Sequence, residues 1–370
     1  MPTDIGPDNT GSNIVLAPME GVIDAPMRRL LTGLGGYTRC VTEFVRVTNV
    51  LLPERVFLRL CPELETGGRT EHGVPVYTQL LGSNAEVLAI NARRAVAMGA
   101  PGVDLNFGCP AKTVNNSLGG SILLREPAQV ANIVRQVRDA VPAEVPVTAK
   151  IRLGYDNSAQ LAEIVGGIRE AGATELAIHA RTKFDGYKPP AWWHEVAGVV
   201  AADDDTTYIN GEIWTVEDSH AARRASGCRH LMLGRGALSA PDLAQRIRAA
   251  EQQTPFSAWD RESGDHQFVR PSSDEKAPSR APLSAALPMP WIEISHHVEA
   301  QFRRSDSQSP RHVGNRTKQW LAYLKRTYPE ANDLFARIRQ QREIGPIVHA
   351  FAEHRRDLLL EQPLLLSADG

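Results

Sequence analysis

The sequence predicts an α/β protein, a (β/α)8 TIM barrel followed by a small C-terminal α-helical bundle. Short apolar, β-branched segments alternate with amphipathic segments for about eight rounds over residues 13–250. The apolar segments are continuous runs, which is typical of parallel strands that are buried on both faces. Eight rounds favour a closed barrel, and a doubly wound open sheet is the alternative.

The individual elements follow from local patterns. Strands are expected where short runs are rich in Val, Ile and Leu, at 14–19, 40–44, 74–81, 103–107, 145–153, 176–180, 206–210 and 231–233. Helices are expected where apolar residues recur every third or fourth position, at 25–34, 84–98, 128–141, 159–171, 191–201, 216–226 and 241–250. Gly172 suits a helix end and Pro241 a helix start. The segment 44–74 is irregular and makes the second round the least regular.

The end of the chain has a different character. Residues 251–290 contain six prolines and six serines and are predicted to be a linker or surface insertion. The C-terminal region, 291–370, shows helical periodicity at 291–302, 317–328, 331–341 and 347–360. Between Gln301 and Gly345 there are ten Lys or Arg and four Asp or Glu. Composition alone allows either a solvated helical face or an RNA-binding surface here.

Composition excludes several classes of protein. The chain has 370 residues and a formal net charge of −2, so any nucleic-acid surface must be local. Residues 1–12 are polar, are expected to be flexible and do not resemble a signal peptide, and no run reaches the ~20 apolar residues of a membrane helix. The four cysteines form no C-x-x-C pair. We therefore expect a reduced, cytoplasmic monomer without a membrane segment or a bound metal.

Polar side chains follow nearly every predicted strand. In chain order the strand ends carry Glu20, Glu43, Arg46, Gln79, Asn106, Cys109, Lys150, Arg152, His179, Arg181, Asn210, Glu212 and Arg235. Because the active site of such a barrel lies at the carboxyl ends of its strands, we expect these side chains to meet. Buried unpaired polar groups are costly, so packing alone does not account for so many.

The last two predicted strands end in glycine-rich segments that suit a phosphate. Asn210-Gly211-Glu212 and Gly234-Arg235-Gly236 follow strands seven and eight, where barrels commonly bind phosphate groups. Lys150 and His179 extend this site towards a flat, partly anionic ligand. FMN fits the pattern, and at this step a phosphosugar substrate would satisfy the phosphate site equally well.

Cys109 lies between Gly108 and Pro110 at the start of a polar loop that closes with Gly119-Gly120. A cysteine can be a small buried hydrophobe that ends a strand. Its place in the ring of polar strand ends favours a reactive role instead. The settings of Cys40, Cys61 and Cys228 indicate structural cysteines.

Several motifs together resemble the tRNA-dihydrouridine synthases. They are APMEGVIDAPMRRLL, TEFVRV, VYTQLLG, GVDLNFGCPAKTV, TAKIRLG, LAIHARTKFDGY, INGEIW and LMLGRGAL, in family order over about residues 14–250. RTKQWLAYLKRTY in the tail is similar to the bacterial C-type subfamily, which reduces uridine 16 in the tRNA D-loop. N-x-G-C-P combined with H-x-R-T and N-G-E makes the resemblance specific.

The resemblance implies a role for each motif residue. FMN would be held by Pro18, Met19, Glu20, Gln79, Lys150, His179, Asn210, Gly211, Glu212, Gly234 and Arg235. Cys109 would be the proton donor. The tRNA substrate would contact Arg46, Asn106, Arg152, Arg181, Arg316, Lys318 and Gln319, with Asn106 and Arg152 at the target uridine. Residues 291–370 would form the tRNA-binding domain, and NADPH would be a transient reductant.

The implied chemistry suits a thiol. Hydride from FMN to C6 of uracil leaves charge at C5 and O4, so C5 must be protonated. A thiol with a pKa near ~8.5 is largely protonated at neutral pH and can act as that acid. The alternatives are a dihydroorotate dehydrogenase-like small-molecule flavin oxidoreductase and a tRNA-binding protein without catalysis. The first has no use for a basic helical tail, and the second does not need Cys109, Lys150 or the phosphate glycines.

Two features depart from the C-type pattern. Phe107 stands where C-type relatives usually carry a cysteine, and we expect altered loop packing there with activity retained. The 251–290 insertion is longer than the connection typical of the subfamily. The length of this insertion affects where the helical domain lies relative to the barrel, and therefore whether uridine 16 or uridines 20 and 20a would reach the active site.

Overall fold

The computed structural model describes residues 11–116, 118–253, 287–304 and 312–365, with 361–365 as backbone only. Most of the predicted flexible N-terminus and of the predicted linker lies outside the described residues. Within these limits the fold is a closed barrel of parallel strands, surrounded by helices and followed by a second group of helices.

Nine strand segments within the described residues form the barrel. They are β1 (Ile14–Leu16), β2 (Arg39–Val41), β3 (Val45–Arg46), β4 (Val76–Leu81), β5 (Val103–Asn106), β6 (Val147–Arg152), β7 (Glu175–His179), β8 (Thr207–Asn210) and β9 (His230–Leu233). β2 and β3 both pair with β4, so they are two segments of one barrel position. β1 pairs in parallel with β2 and with β9, which closes the sheet. The predicted eight-position TIM barrel is confirmed, and the open-sheet alternative is wrong.

The strand register places the predicted polar residues side by side. Asn106 is the partner of Lys150 on the adjacent strand, Arg152 is the partner of His179, and His179 is the partner of Asn210. Because side chains alternate between the two faces of a strand, residues at every second position share the barrel interior. One polar layer therefore forms at the carboxyl ends of β4 to β8.

The helices pack around the barrel and beyond it. They are α1 (Ala25–Gly33), α2 (Glu54–Leu60), α3 (Ala85–Ala97), α4 (Lys112–Asn115), α5 (Pro127–Ala140), α6 (Leu161–Glu170), α7 (His194–Ala197), α8 (Val216–Ser226), α9 (Arg235–Ser239), α10 (Leu243–Gln253), α11 (Trp291–Arg304), α12 (Asn315–Leu324), α13 (Ala331–Ile338) and α14 (Ile344–Leu365). Two 3-10 helices cover Pro62–Thr66 and Gly120–Arg125. α8 shows how sequence defines a boundary, because Thr215 and Asp218 form a reciprocal capping box and Gly227 ends the helix at φ 74°.

Three local expectations were wrong or incomplete. The helix expected at 191–201 shrinks to α7, and before it the backbone N–H of Trp192 donates to the carbonyl of Ala180 on the preceding strand end rather than within a helix. The irregular segment after β3 contains α2 and a 3-10 helix that the sequence pattern did not indicate. The glycine-rich segment after β9 runs directly into the short helix α9.

The C-terminal helices α11 to α14 pack against one another and against the barrel. Trp320 of α12 is buried and donates its indole N–H to the carbonyl of Leu238, 3.1 Å away. Ser239 and Thr327 join their hydroxyl groups at 2.8 Å. α12 is therefore seated on the loop and helix that follow β9.

Within the described parts of the chain, no helix is both long and apolar enough to cross a membrane.

Candidate active site

A cavity of about 630 Å³ opens at the carboxyl ends of the strands. Its volume lies within the range of small-molecule and cofactor sites. The residues that line it come from every barrel position and include Pro18, Met19, Glu20, Phe44, Gln79, Asn106, Cys109, Lys150, Arg152, His179, Arg181, Tyr187, Asn210, Gly211, Glu212, Trp214, Gly234, Arg235 and Tyr323. All the cofactor residues expected from the sequence are among them, together with Cys109.

The Cys109 loop is held by hydrogen bonds at both ends of its first turn. Asn106 Oδ1 accepts from the backbone N–H groups of Gly108 and Cys109 at 3.0 and 2.9 Å. The carbonyl of Cys109 accepts from Ser121 Oγ at 2.9 Å and from Asn115 Nδ2 at 3.1 Å. The side chain of Cys109 remains partly exposed at the cavity wall, whereas the other three cysteines are buried.

A buried polar chain leads from this loop into the barrel interior. Asn106 Nδ2 donates to Gln79 Oε1 at 2.8 Å, and Gln79 Nε2 donates to Asp104 Oδ2 at 2.7 Å. Thr148 Oγ1 donates to the other oxygen of Asp104 at 2.5 Å. Because a carboxylate can only accept, Asp104 determines which end of the Gln79 amide faces Asn106. Burial raises the pKa of Asp104 to about 6.

The surroundings of Cys109 keep it a thiol. Burial raises its pKa, and the nearby charge of Glu20 acts in the same direction. A backbone hydrogen bond at Ala111 and the charges of Arg152 and Arg46 oppose these effects without cancelling them. A nucleophilic cysteine needs a lowered pKa. This site instead favours a cysteine that holds a proton and can give it up.

Arg152 joins two loops at the cavity mouth. Its Nε donates to the carbonyl of Gly108 at 2.8 Å, in the Cys109 loop. Its Nη1 donates to the carbonyls of Thr182 and Gly186 at 2.9 and 2.8 Å, in the loop after β7. Only 1% of the residue is exposed. The structure thus shows Arg152 as a clamp, and its contact with the target uridine stays a prediction.

Lys150 and His179 form the floor of the cavity. Lys150 Nζ donates to Asn210 Oδ1 at 3.0 Å, and burial together with the charge of Arg152 lowers the pKa of Lys150 to about 8. Burial and the charge of Arg152 also hold the pKa of His179 well below its usual range. Because Arg181 Nη1, 3.1 Å from His179 Nε2, can only donate, the neutral ring carries its proton on Nδ1.

Glu212 is the centre of an ion cluster at the other side of the cavity. Its Oε1 lies 2.7 Å from a guanidinium nitrogen of Arg181 and 2.7 Å from one of Arg235, and its Oε2 accepts from the Trp214 indole at 3.0 Å. Burial alone would raise its pKa, but the hydrogen bonds from Trp214 and Arg181 and the neighbouring charges hold the pKa below its usual value. The side chain of Arg181 is fully buried. Arg181 nevertheless belongs to the cavity lining, and its contact with the substrate stays a prediction.

Glycine is required where two backbone segments approach the cavity. A Cβ on Gly211, at φ 117°, would lie 2.9 Å from the ring of His179. A Cβ on Gly236 would lie 2.0 Å from the carbonyl oxygen of Ile213. The segments after β8 and β9 therefore lie in close contact with their neighbours, and a side chain at either glycine would push against the ring of His179 or the backbone of Ile213.

Comparison with known proteins decides the family. The sequence profile of the family described as dihydrouridine synthase (Dus) matches residues 15–318. The chain belongs to the dihydrouridine synthase family.

Relatives from three bacteria carry the name tRNA-dihydrouridine(16) synthase. The Pseudomonas putida protein is 45% identical, with 90% of this chain and 94% of the relative covered. The Shewanella oneidensis protein is 44% identical over 93% of this chain and 99% of its own length. The Vibrio cholerae protein is 40% identical over 93% and 97%. The similarity therefore extends through the barrel into the C-terminal helices of this dihydrouridine synthase.

The residues expected to bind tRNA outside the cavity differ in their exposure and in the protein groups that they contact. Arg46 is exposed and donates to the carbonyl of Thr113 at 3.0 Å, beside the Cys109 loop. Arg316 donates to the carbonyl of Gly21 and lies 3.7 Å from Asp24, so it joins α12 to the barrel. Lys318 donates to the carbonyl of Gln341 at 2.5 Å, and Gln319 is exposed. Their contacts with tRNA stay predictions.

Sequence reasoning missed the aromatic wall of the cavity in this dihydrouridine synthase. Tyr187 follows β7, and the guanidinium groups of Arg152 and Arg235 lie 5.3 and 5.6 Å from its ring centre. Trp214 follows β8, and Tyr323 reaches the cavity from α12. The motif LAIHARTKFDGY contains Tyr187 and INGEIW contains Trp214, so the sequence carried a signal for these two. Nothing in the sequence pattern indicated that Tyr323 would reach the mouth.

Phe107 now has a packing explanation. It lies one position after Asn106, on the face of the strand that points away from the barrel interior, and only 1% of it is exposed. It belongs to the large apolar cluster between the strands and the surrounding helices. Its side chain therefore fills the layer outside the barrel, while Asn106 serves the cavity.

No group of three or more His, Cys, Asp or Glu side chains that could hold a metal occurs in the ranges the structure describes.

Proposed function

We propose that this enzyme reduces uridine 16 in the D-loop of tRNA to 5,6-dihydrouridine, with FMN as bound cofactor and NADPH as reductant. Membership of the family identifies the enzyme class. The position of the uridine rests on the names of relatives that are 40–45% identical over most of this chain. Uridines 20 and 20a are the competing positions.

The observation that carries the proposal is the placement of Cys109. A protonated thiol stands at the wall of a cavity whose floor contains the Lys150 amine and whose far end contains Arg235. A phosphorylated, flat ligand fits that distribution of charge, because a phosphate group favours a guanidinium and tightly packed backbone. The backbone segments after β8 and β9 come close together around Gly211 and Gly236, and they would provide such a backbone cradle.

The residues present fit FMN. We propose that Arg235, Gly211, Gly234 and Asn210 hold its phosphate end, and that Lys150 and His179 face its ring system. When bound, FMN supplies the hydride that is added to C6 of uracil. Glu212 bonds to Arg235 and holds its guanidinium in place. The amide oxygen of Gln79 already accepts from Asn106 and its amide nitrogen already donates to Asp104, so Gln79 would face the ligand with an amide whose orientation is fixed.

The protein's own contribution is the delivery of a proton. Addition of hydride to C6 leaves negative charge on C5 and O4 of the pyrimidine. Cys109 then gives its thiol proton to C5, which forms the new C–H bond, and the thiolate regains a proton from solvent. The raised pKa of Cys109 ensures that the proton is present before reaction. Asn106, Ser121 and Asn115 hold the loop so that the thiol faces the cavity.

The C-terminal helices favour a macromolecular substrate over a small one. Tyr323 of α12 lines the cavity, so the C-terminal region forms part of its mouth. A small-molecule flavin oxidoreductase needs no such element, whereas a domain beside the mouth can hold the body of a tRNA while one nucleotide enters. A looped nucleotide is cheaper to extrude than a paired one. We propose that residues 291–370 form this tRNA-binding domain.

Two assays on the purified protein test the proposal. The protein should release FMN on denaturation, and NADPH should bleach the bound flavin. With unmodified tRNA it should then form dihydrouridine. Cys109→Ala should keep flavin and tRNA binding but lose most product formation, whereas the matched variant Cys228→Ala, at a buried cysteine outside the cavity, should keep it. Undiminished product formation by Cys109→Ala would refute the acid role.

We further propose that the enzyme acts in the cytoplasm, where a tRNA substrate is found, and that it acts as a monomer. Elution volume on size exclusion, with and without tRNA, tests the second statement.

A further inference from the structure

Four residues form a partly exposed aromatic and cationic cluster beside the cavity mouth, here called the rim patch: Arg125, Tyr155, Lys183 and Phe184. The rings of Tyr155 and Phe184 meet edge to face, with their centres 5.8 Å apart. Lys183 Nζ lies 4.9 Å from the centre of the first ring and 4.7 Å from that of the second, and the Arg125 guanidinium lies 4.1 Å from the Tyr155 ring. Phe184 is 65% exposed.

The rim patch is joined to the Cys109 loop by two separate routes. Arg152 bonds both to Gly108 in that loop and to the carbonyls of Thr182 and Gly186, which flank Lys183 and Phe184. The second route is the 3-10 helix Gly120–Arg125, which starts at the bonds from Ser121 to the carbonyl of Cys109 and ends at Arg125. The patch is therefore held in a set position relative to the thiol.

The loop that carries Phe184 is also rigid by itself. Asp185 accepts from both the backbone N–H and the hydroxyl of Thr182, at 2.7 and 2.8 Å. The backbone N–H of Lys183 donates to the carbonyl of Gly154, 3.1 Å away, which fixes this loop against the one that carries Tyr155. A ring presented by such a loop loses little conformational entropy when a ligand stacks on it.

Lys183 provides a positive charge that an anionic ligand could meet beside the rings. Asp156 is occupied by Arg125, whose Nη2 lies 2.8 and 3.1 Å from its two oxygens, and Asp185 is occupied by Thr182. The Lys183 ammonium lies against the faces of both rings. An exposed ring next to a cation is the arrangement that binds unpaired nucleotides, the ring stacking on the base and the cation attracting the phosphate.

We propose that the rim patch binds an unpaired D-loop base that flanks the reduced uridine, stacked on Phe184, with Lys183 at the adjoining phosphate. This rests on the proposed function, since it assumes tRNA as substrate. A single exposed aromatic is common on protein surfaces. Here two rings, two cations and a rigid link to the Cys109 loop occur together.

The test uses full-length protein and a D-loop-containing tRNA transcript with 2-aminopurine at each position flanking the target uridine in turn. Binding should change the 2-aminopurine fluorescence at one position. Phe184→Leu should abolish that change and weaken tRNA binding about tenfold, whereas Phe184→Trp should retain both, because stacking needs an aromatic face rather than apolar volume. Trp192→Leu, an aromatic on the same loop but outside the patch, is the matched control and should bind as the wild type.

Lys183 is tested through salt. Lys183→Gln should lower the slope of log affinity against log salt concentration by about one, and Lys183→Arg should restore it. Reduction of the bound flavin by NADPH should be the same in all variants. If the wild-type enzyme reduces tRNA and Phe184→Leu matches it in tRNA affinity and in the 2-aminopurine fluorescence change, only the proposed role of the rim patch is overturned. A wild-type protein that binds no tRNA overturns both this inference and the proposed function.

Discussion

Asn106 offers the sharpest single test of how the cavity holds its thiol. Asn106→Ala removes three hydrogen bonds, two from the backbone N–H groups of the Cys109 loop and one to Gln79. At a net value of ~1 kcal/mol for each bond, the ordered loop loses about 3 kcal/mol. If that loss falls on the transition state, turnover drops about 100-fold, which is also the order of effect expected when a catalytic group is misplaced by about 1 Å.

The assay compares two readouts in one protein. Single-turnover formation of dihydrouridine measures placement of the thiol, and alkylation of Cys109 by iodoacetamide measures freedom of the loop. Asn106→Ala should lower the first about 100-fold and speed the second, with FMN content unchanged.

A matched control separates a local effect from general destabilisation. Asn91 is also buried and makes three hydrogen bonds, but it lies in α3, outside the cavity. Its side chain accepts from the N–H of Leu52 at 2.9 Å and donates to the carbonyls of Val50 and Val87 at 3.1 and 2.7 Å. Asn91→Ala should lose a similar ~3 kcal/mol of unfolding free energy and keep its turnover. Equal turnover in Asn106→Ala and the wild type would refute the reasoning.

Three further outcomes are expected. The pKa of Asp104 is about 6 in the folded protein against 3.8 in the unfolded chain, so ionisation of Asp104 costs the folded state about 3 kcal/mol above pH ~6 and nothing below pH ~4. The unfolding free energy of the wild type, measured relative to that of Asp104→Asn, should therefore fall by about 3 kcal/mol as the pH rises from ~4 to ~6. A difference between the two proteins that does not change with pH would contradict this expectation. Arg235→Gln should weaken FMN binding about tenfold to 100-fold in fluorescence titration, and unchanged affinity would remove Arg235 from the phosphate end. Trp320→Phe leaves the buried carbonyl of Leu238 without its 3.1 Å donor and should lower the unfolding free energy by about 1–3 kcal/mol, whereas a variant as stable as the wild type would show that water replaces the indole.

The barrel was predictable because its signal is periodic. Few folds can bury both faces of eight continuous apolar strands, so the repeated pattern restricts the possible architectures. The polar ring was predictable for the same reason, since strand ends meet at one edge of a parallel barrel. The break between β2 and β3 and the shortened α7 were not, because loops there bond to distant backbone and override local propensity.

The internal bonding of the site was largely hidden from the sequence. The resemblance to the family implied substrate contacts for Arg152 and Arg181, but it did not indicate which protein groups these side chains bond to. In the structure Arg152 bonds to three backbone carbonyls, which have no sequence signature, and Arg181 pairs with Glu212, 31 positions away along the chain. Periodicity indicates the face on which a residue lies, but not which of several polar neighbours its side chain selects.

The most direct test of the central claim is a map of dihydrouridine positions in tRNA from cells that lack this protein. We predict loss of dihydrouridine at position 16, restored by the wild-type chain and not by Cys109→Ala. Unchanged dihydrouridine at position 16 in the cells without the protein, or full restoration by Cys109→Ala, would contradict the account.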